Sequence, residues 1–484
     1  MDKKIAKNLI YNVLLQVVTL FLPLVTTPYV SRVLGKEGIG VYSYTFSIVQ
    51  YFIILGTLGI ATYGNRAIAY VRDDKEKMSK TFWSICFLQL ITTSIALILF
   101  IIIFGLNEEY GYIYIIQSMN VVASMIDISW LYMGLEDFKK TVTRNLLVKI
   151  IGVIFIFLFV KTSNDLSKYV MINSAMILFG NLVMWMYIPK TVSKAKVTCN
   201  SIQQHIVPIL QLFIPQIAIQ IYAVLDKTML GTLATIGDVG VYEQSQKIVK
   251  LVLAIVTSLG VVMLPRMSNT FASGNIKKMN EYLNNSLKGV AYISIPMSIG
   301  LAAISPKFVP WFFGEEFNLV SYLMILLSPI LFLIALSNVL GIQYLLPSNR
   351  TKEFTFSVTI GAIINVSLNF ILIPRYQALG ACMSTVVAEF SVTFIQYCFV
   401  KNNIDTREIL LNIVKYVFSG VIMFFVVRFI GDLMESNPIT TIVQGLIGLI
   451  IYVLSLTLLK EEINSYAIKL ICDNIRFFKT RCFK

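Results

Sequence analysis

One histidine, six scattered cysteines and a charged fraction of only 14% leave this 484-residue chain few groups for hydrolytic, redox or metal chemistry. Cys86, Cys199, Cys382, Cys398, Cys472 and Cys482 form no C-x-x-C pair, and His205 has no ligand cluster around it in sequence. Neither a disulfide framework nor a zinc site has support, and the cysteines read as small apolar fillers. The phosphate-loop pattern G-x-x-x-x-G-K-[ST] is absent, because the Gly35-Lys36 step has Val30 where the first glycine should stand. No Ser/His/Asp set and no H-E-x-x-H motif occur either. The chain is therefore expected to have no catalytic residues, no metal site and no cofactor, and to be no enzyme.

Apolar sequence is present in excess. Hydrophobic residues make up 57% of the chain and the mean hydropathy is +0.76. A soluble domain carries roughly 45–50% apolar and about 25% charged residues, so a bilayer must solvate much of this surface. Stretches long enough to cross a ~30 Å hydrocarbon core recur along the chain. They fall near residues 9–34, 39–63, 81–106, 110–133, 145–161, 168–188, 208–233, 239–264, 289–310, 319–346, 354–373, 379–400, 413–432 and 438–459. The fold class is accordingly all-α, a polytopic membrane protein with about 14 transmembrane helices. The first span runs straight into a second, unlike a cleaved signal.

The net charge of +14 has the sign of a nucleic-acid binder, but its distribution points elsewhere. Of the 40 Lys and Arg residues, 29 fall on the side of the N-terminus and of alternate loops, against six in the other loops. That asymmetry predicts a cytoplasmic N-terminus and, with an even number of spans, a cytoplasmic C-terminus. Nucleic acid loses its main support as a partner. From Lys460 onward, Ile463, Tyr466, Ala467, Leu470, Ile471 and Ile475 recur at helical spacing between cations, which predicts a basic amphipathic tail over 460–484 on the membrane surface.

The chain also resembles itself at a period near 200 residues. Leu20-Phe21-Leu22-Pro23 recurs as Leu212-Phe213-Ile214-Pro215. Leu34-Gly35 and Gly40-Val41-Tyr42 recur as Leu230-Gly231 and Gly240-Val241-Tyr242. The predicted organisation is an N-terminal six-helix lobe (1–200), a second six-helix lobe in the same orientation (201–412), and two additional spans (413–459). Parallel repeats of this kind place a substrate site near the interface of the halves.

Ionisable groups inside spans cost roughly 2.5–3.5 kcal/mol each at a helix centre and so face a cavity or a partner. Glu243, Lys247 and Lys250 stand at i, i+4 and i+7, which puts them on one face of one helix. They read either as a wall of a hydrated space, with Lys250 available to an anion, or as ties between helices. Asp226-Lys227 reads as part of the same site or as a local ion pair, and Arg32 closes the first span. Asp127, in Asp127-Ile128-Ser129-Trp130, and Glu389 each read as a proton or cation site or as a structural polar group. Lys149 and Arg428, near predicted span ends, are expected to snorkel. Asn365 and Asn369 form an i, i+4 polar pair suited to helix packing or to hydroxyl-rich ligands.

Three stretches carry a family resemblance: Thr27 through Gly35 with Gly38-Ile39-Gly40-Val41-Tyr42, Asp127 through Trp130 with Gly134-Leu135-Glu136, and Asp226 through Gly231. With two six-helix units and two extra helices, the chain resembles the polysaccharide repeat-unit flippases of the Wzx type. These belong to the multidrug/oligosaccharidyl-lipid/polysaccharide exporter superfamily. The resemblance implies a bacterial inner-membrane protein that flips undecaprenyl-pyrophosphate-linked oligosaccharide by alternating access, for capsule or other surface polysaccharide. It implies coupling to a proton or sodium gradient in some members, and other polysaccharide-assembly proteins as partners. Arg32, Asp226, Lys227, Glu243, Lys247 and Lys250 are then the expected substrate-binding residues, and Asp127 and Glu389 the ion-coupling candidates. Alternatives are a flippase for a teichoic-acid or peptidoglycan precursor, a drug exporter of the same superfamily and, from another class, a glycan polymerase or acyltransferase. The drug exporter is expected to favour an acidic cavity, whereas here two lysines face one glutamate. The polymerase or acyltransferase needs a catalytic cluster, and none is found.

Overall fold

The computed structural model describes residues 3–466, 468 and 469, with the side chains of 1–17, 20, 214–216, 218, 219, 221–223, 259, 261 and 262 left out of the description. Helices and the short turns between them account for it, and no strand occurs among the described residues. The predicted tail lies outside the described residues at Ala467 and from Leu470 onward.

Two compact units divide the chain, Met1–Gly240 and Val241–Lys484. The first unit contains α1 (Lys3–Thr57), α2 (Ile60–Val71), α3 (Lys75–Phe104), α4 (Gly111–Met125), α5 (Ser129–Gly134), α6 (Phe138–Phe159), α7 (Leu166–Trp185), α8 (Ile188–Thr191) and α9 (Cys199–Leu233). Helix α10 (Ile236–Ala272) leads into the second unit. There α11 (Ile276–Phe313), α12 (Asn318–Leu327), α13 (Pro329–Ser337), α14 (Thr351–Val400), α15 (Thr406–Asp432) and α16 (Pro438–Leu458) follow.

By length and composition, eight helices among the described residues are apolar enough to span a bilayer, or ten when two bent pairs each count as one span. Helices α1 and α14 each hold two of the predicted segments. Gly35 (φ 67°, ψ 178°) interrupts the first and Gln377 (φ 50°, ψ −129°) the second. The predicted span 319–346 is bent by 43° between Leu327 and Pro329, where proline removes a backbone donor. Its C-terminal stretch, Asn338–Leu345, is a π-helix. Lys149 does not lie near a span end, because α6 begins at Phe138. It sits in mid-helix and donates to Thr19 Oγ1 at 2.9 Å.

Each unit has its own apolar core. Ile60, Ile68, Phe82, Ile85, Trp130 and Leu131 are fully buried together in the first, where α2, α3 and α5 meet. In the second, α11, α15 and α16 close over Ala303, Tyr416, Val427 and Leu456. The remaining apolar surface is outward. Leu99, Ile102, Phe425 and Leu449 are among many large side chains left exposed, as a lipid solvent requires.

Candidate functional site

The clearest constellation is built on α10. Its start is fixed by a reciprocal cap: Thr235 Oγ1 donates to Asp238 Oδ2 at 2.6 Å, and the Asp238 amide donates back to Thr235 Oγ1 at 3.2 Å. Its rotation is fixed two turns on. The Tyr242 hydroxyl lies 3.2 Å from Thr385 Oγ1 on α14 and accepts from Gln246 Nε2 at 2.8 Å. Tyr242, Gln246 and Val249 are thereby buried, and so are Gln244, Ser245 and Ile248. One residue further on, about 100° round the helix, Glu243 and Lys247 are half-buried and Lys250 is exposed. Three ionisable side chains thus form the less buried stripe of a segment otherwise closed by packing, open at Lys250 and with Glu243 Oε2 buried.

The other expected site residues lie on separate elements. Arg32 is exposed on α1, one turn before the Gly35 kink, next to the fully buried Ser31. On α9, Asp226 is buried and Lys227 half-buried. The following Thr228 ties α9 to α1 through Ser47 Oγ at 2.9 Å and the Tyr51 hydroxyl at 3.1 Å. Glu389 is half-buried on α14, and its carbonyl accepts from Thr393 Oγ1 at 2.8 Å. Asn365 and Asn369 are fully buried on α14, where Asn369 Nδ2 donates to Asn365 Oδ1 at 3.1 Å.

Asp127 falls where a helix breaks. Helix α4 ends at Met125 and α5 begins at Ser129, so the predicted span 110–133 is discontinuous. Asp127 Oδ1 accepts from the Ser129 amide at 2.9 Å. Sequence reasoning missed Gln89, the latch of this break. Its Nε2 donates to the carbonyls of Ser124 (2.6 Å) and Asp127 (3.0 Å), and its Oε1 accepts from the Trp130 indole at 3.1 Å. The only sequence signal was a lone glutamine in an apolar run. His205 is buried, with Nδ1 2.7 Å from the Tyr63 hydroxyl.

Long apolar helices with breaks and charged stripes inside them define a multi-pass α-helical membrane protein. The chain belongs to the polysaccharide biosynthesis protein family, whose pattern matches residues 5–271. The family described as Lipid II flippase MurJ matches residues 139–455. Among curated relatives, the "Putative O-antigen transporter" of Escherichia coli (strain K12) is 26% identical over 82% of this chain and 97% of its own length. Lipid II flippase MurJ of Bacillus subtilis (strain 168) is 27% identical over 33% of this chain and 29% of its own. Among solved structures, Lipid II flippase MurJ in an inward closed conformation covers 94% of this chain and 98% of its own at a TM-score of 0.75 and 18% identity. An inward-facing multidrug resistance MATE family transporter covers 83% and 98% at 0.60 and 14%. Identities this low establish the fold alone. The Wzx-type resemblance carried by Thr27 through Gly35, Asp127 through Trp130 and Asp226 through Gly231 is borne out. The relatives are transporters and flippases, not catalytic enzymes.

Proposed function

We propose that this protein flips lipid-linked oligosaccharide, specifically undecaprenyl-pyrophosphate repeat units, from the inner to the outer leaflet of the bacterial cell membrane for surface polysaccharide such as capsule. The observation that carries the reading is the charged Glu243/Lys247/Lys250 stripe, exposed at Lys250, on a helix otherwise closed by packing. A glycan cannot cross hydrocarbon unaided, because each unpaired hydroxyl costs several kcal/mol, on the order of 4–8 in a medium that offers no hydrogen bonds. A hydrated cation-bearing wall offsets that cost for sugar and pyrophosphate while the lipid tail stays in the bilayer. Lys250 is the anion ligand, Glu243 and Lys247 support it, and Arg32, Asp226 and Lys227 extend the polar path. Two parallel six-helix lobes, 1–200 and 201–412, give alternating access, with both termini cytoplasmic. A proton or sodium gradient acts through Asp127 or Glu389, and other polysaccharide-assembly proteins receive the product.

The test is flipping of a fluorescent lipid-linked oligosaccharide in proteoliposomes. Lys250→Ala should keep normal abundance and lose most activity, since alanine preserves the helix. Lys250→Arg should retain part of it, and Lys250→Glu should be the least active. A stably folded Lys250→Glu protein that flips at the wild-type rate sinks the assignment. The second reading, a peptidoglycan lipid precursor as substrate, draws on the MurJ family match to residues 139–455. The lipid-linked glycan that accumulates on depletion separates the two.

A further inference from the structure

An open groove runs along the second unit between α11, α13, α14 and α15. Its volume is about 430 Å³, and Phe332, Leu336, Phe390, Phe394, Ile409 and Leu410 are among the residues that line it. Phe390, Phe394 and Leu410 are each more than half exposed, so the groove opens sideways, onto the face that lipid must solvate. Three polar side chains reach the lining, and each is engaged within the protein. Thr393 Oγ1 shares its proton between the carbonyls of Leu333 (3.0 Å) and Glu389 (2.8 Å), and the Tyr397 hydroxyl lies 3.1 Å from Thr406 Oγ1. A sugar or a peptide lying here would leave its own polar groups unpaired, a cost that a hydrocarbon chain does not carry.

Length and charge narrow the occupant further. From Phe390 to the last residue of α14, Val400, the helix rises ~15 Å at ~1.5 Å per residue. Half of a ~30 Å hydrocarbon core is the same depth, so the groove matches one acyl chain of one leaflet. At its lower end Ile404 and Thr406 line it, on the connector from α14 to α15, and the exposed Lys401 and Arg407 flank them. That connector is fixed. Lys401–Asn403 form a turn of 3-10 helix, the Ile404 amide donates to the Lys401 carbonyl at 3.3 Å, and the Asp405 amide donates to Asn284 Oδ1 on α11 at 2.9 Å. The carboxylates beside it are committed: Asp405 Oδ1 accepts from the Glu408 amide at 3.2 Å, and Glu408 pairs with Lys288, the neighbour of the lining residue Leu287. Lys401 and Arg407 have no ion-pair partner among the described residues. Two such cations at the polar end of a hydrocarbon groove complement a phosphate at the end of an acyl chain.

We propose that this groove binds one anionic phospholipid of the bilayer, with an acyl chain lying between α13, α14 and α15 and the phosphate held by Lys401 and Arg407. Under the orientation that the Lys/Arg asymmetry predicts, the lipid belongs to the inner leaflet. None of the described lining residues belongs to α10, so the occupant is separate from the substrate assigned to the Lys250 stripe. Four helices contribute to the groove, and a lipid that binds only when they are assembled stabilises the second unit.

The purified full-length protein in detergent is titrated with dioleoyl phosphatidylglycerol and, separately, with dioleoyl phosphatidylcholine, which has the same chains and no net charge. Bound lipid is counted by native mass spectrometry, and the thermal unfolding midpoint is followed. No lipid-linked oligosaccharide is present, so failure here leaves the flipping assignment standing. Phosphatidylglycerol should fill one site and raise the midpoint saturably, and phosphatidylcholine should bind about tenfold more weakly. Lys401→Gln/Arg407→Gln should erase that preference. Leu410→Trp, which fills the groove from its exposed lip, should weaken both lipids, and Lys80→Gln, an exposed cation on α3, should change neither. Equal binding of the two lipids to the wild-type protein overturns the proposal. So does a preference retained by a folded Lys401→Gln/Arg407→Gln protein, or unchanged binding to a folded Leu410→Trp protein. A midpoint shift reproduced by inorganic phosphate alone marks a free-anion site, and displacement of phosphatidylglycerol by a lower concentration of undecaprenyl phosphate marks a substrate tail as the occupant; either result overturns it.

Discussion

Gly40 and Gly240, recurring glycines of the sequence, pack reciprocally: a β-carbon on Gly40 would stand 1.9 Å from the Ile236 carbonyl oxygen, and one on Gly240 would stand 2.0 Å from that of Lys36. Each glycine therefore meets the backbone four residues before the other. Small residues at helix crossings in membranes allow this close approach, and no side chain fits without moving backbone.

Gly40→Ala and Gly240→Ala are accordingly expected to destabilise the protein by about 1–3 kcal/mol each, the usual range for overpacking. Gly445→Ala on α16, where a β-carbon meets nothing within 4 Å, should be neutral or stabilising. Thermal unfolding of the three purified variants checks this; equal midpoints for Gly40→Ala and Gly445→Ala would show that the crossing is loose.

A buried carboxylate ties the chain after α16 to the second unit. Glu461 is 1% exposed, accepts from the Tyr416 hydroxyl at 2.8 Å and from the Asn464 amide at 2.6 Å, while Asn464 Oδ1 accepts from Tyr292 at 3.0 Å. Tyr416→Phe removes one donor and leaves the carboxylate under-satisfied. The expected loss is about 1–3 kcal/mol. Tyr416→Phe/Glu461→Gln should recover part of it, because the neutral amide is cheaper to leave short of a donor. A single variant as stable as wild type contradicts the tie.

Asp74 caps α3, accepting from the Glu76 and Lys77 amides at 3.1 Å each and pairing with Lys77 Nζ at 3.1 Å. Those amides and that ammonium hold its carboxyl below the ordinary carboxylate range. A carboxyl lowered in the folded state stabilises it above the unfolded value, near ~3.9, and loses that contribution as pH falls further, through the folded value. Asp74→Ala should thus be less stable than wild type at pH 7, and the gap should narrow toward pH 3. Unfolding midpoints at the two pH values decide it. A gap that widens in acid reverses the sign and removes the cap as its cause.

Orientation is open to direct chemistry. With the native cysteines replaced, a cysteine at Asn107 or Asn437 should react with an impermeant thiol reagent added outside intact cells, and one at Ser273 should not. The expectation follows from the Lys/Arg asymmetry of the loops. Labelling of Ser273 from outside inverts the topology and places the Lys250 end of the path on the wrong side.

Much of this protein was legible in its residues. Apolar runs long enough to span a bilayer need no tertiary information to be recognised, because the solvent they require follows from length and composition alone. The Glu243/Lys247/Lys250 stripe was legible for a similar reason: helical period dictates a shared face whatever surrounds the helix. Which way that face turned was decided by Tyr242 meeting Thr385, 143 residues away in sequence. The interruptions at Leu58–Gly59 and at residues 126–128 were equally out of reach. A broken helix is stable only where remote side chains, here Gln89, Thr92 and Trp185, satisfy the freed carbonyls, and that pairing exists only after the chain has folded.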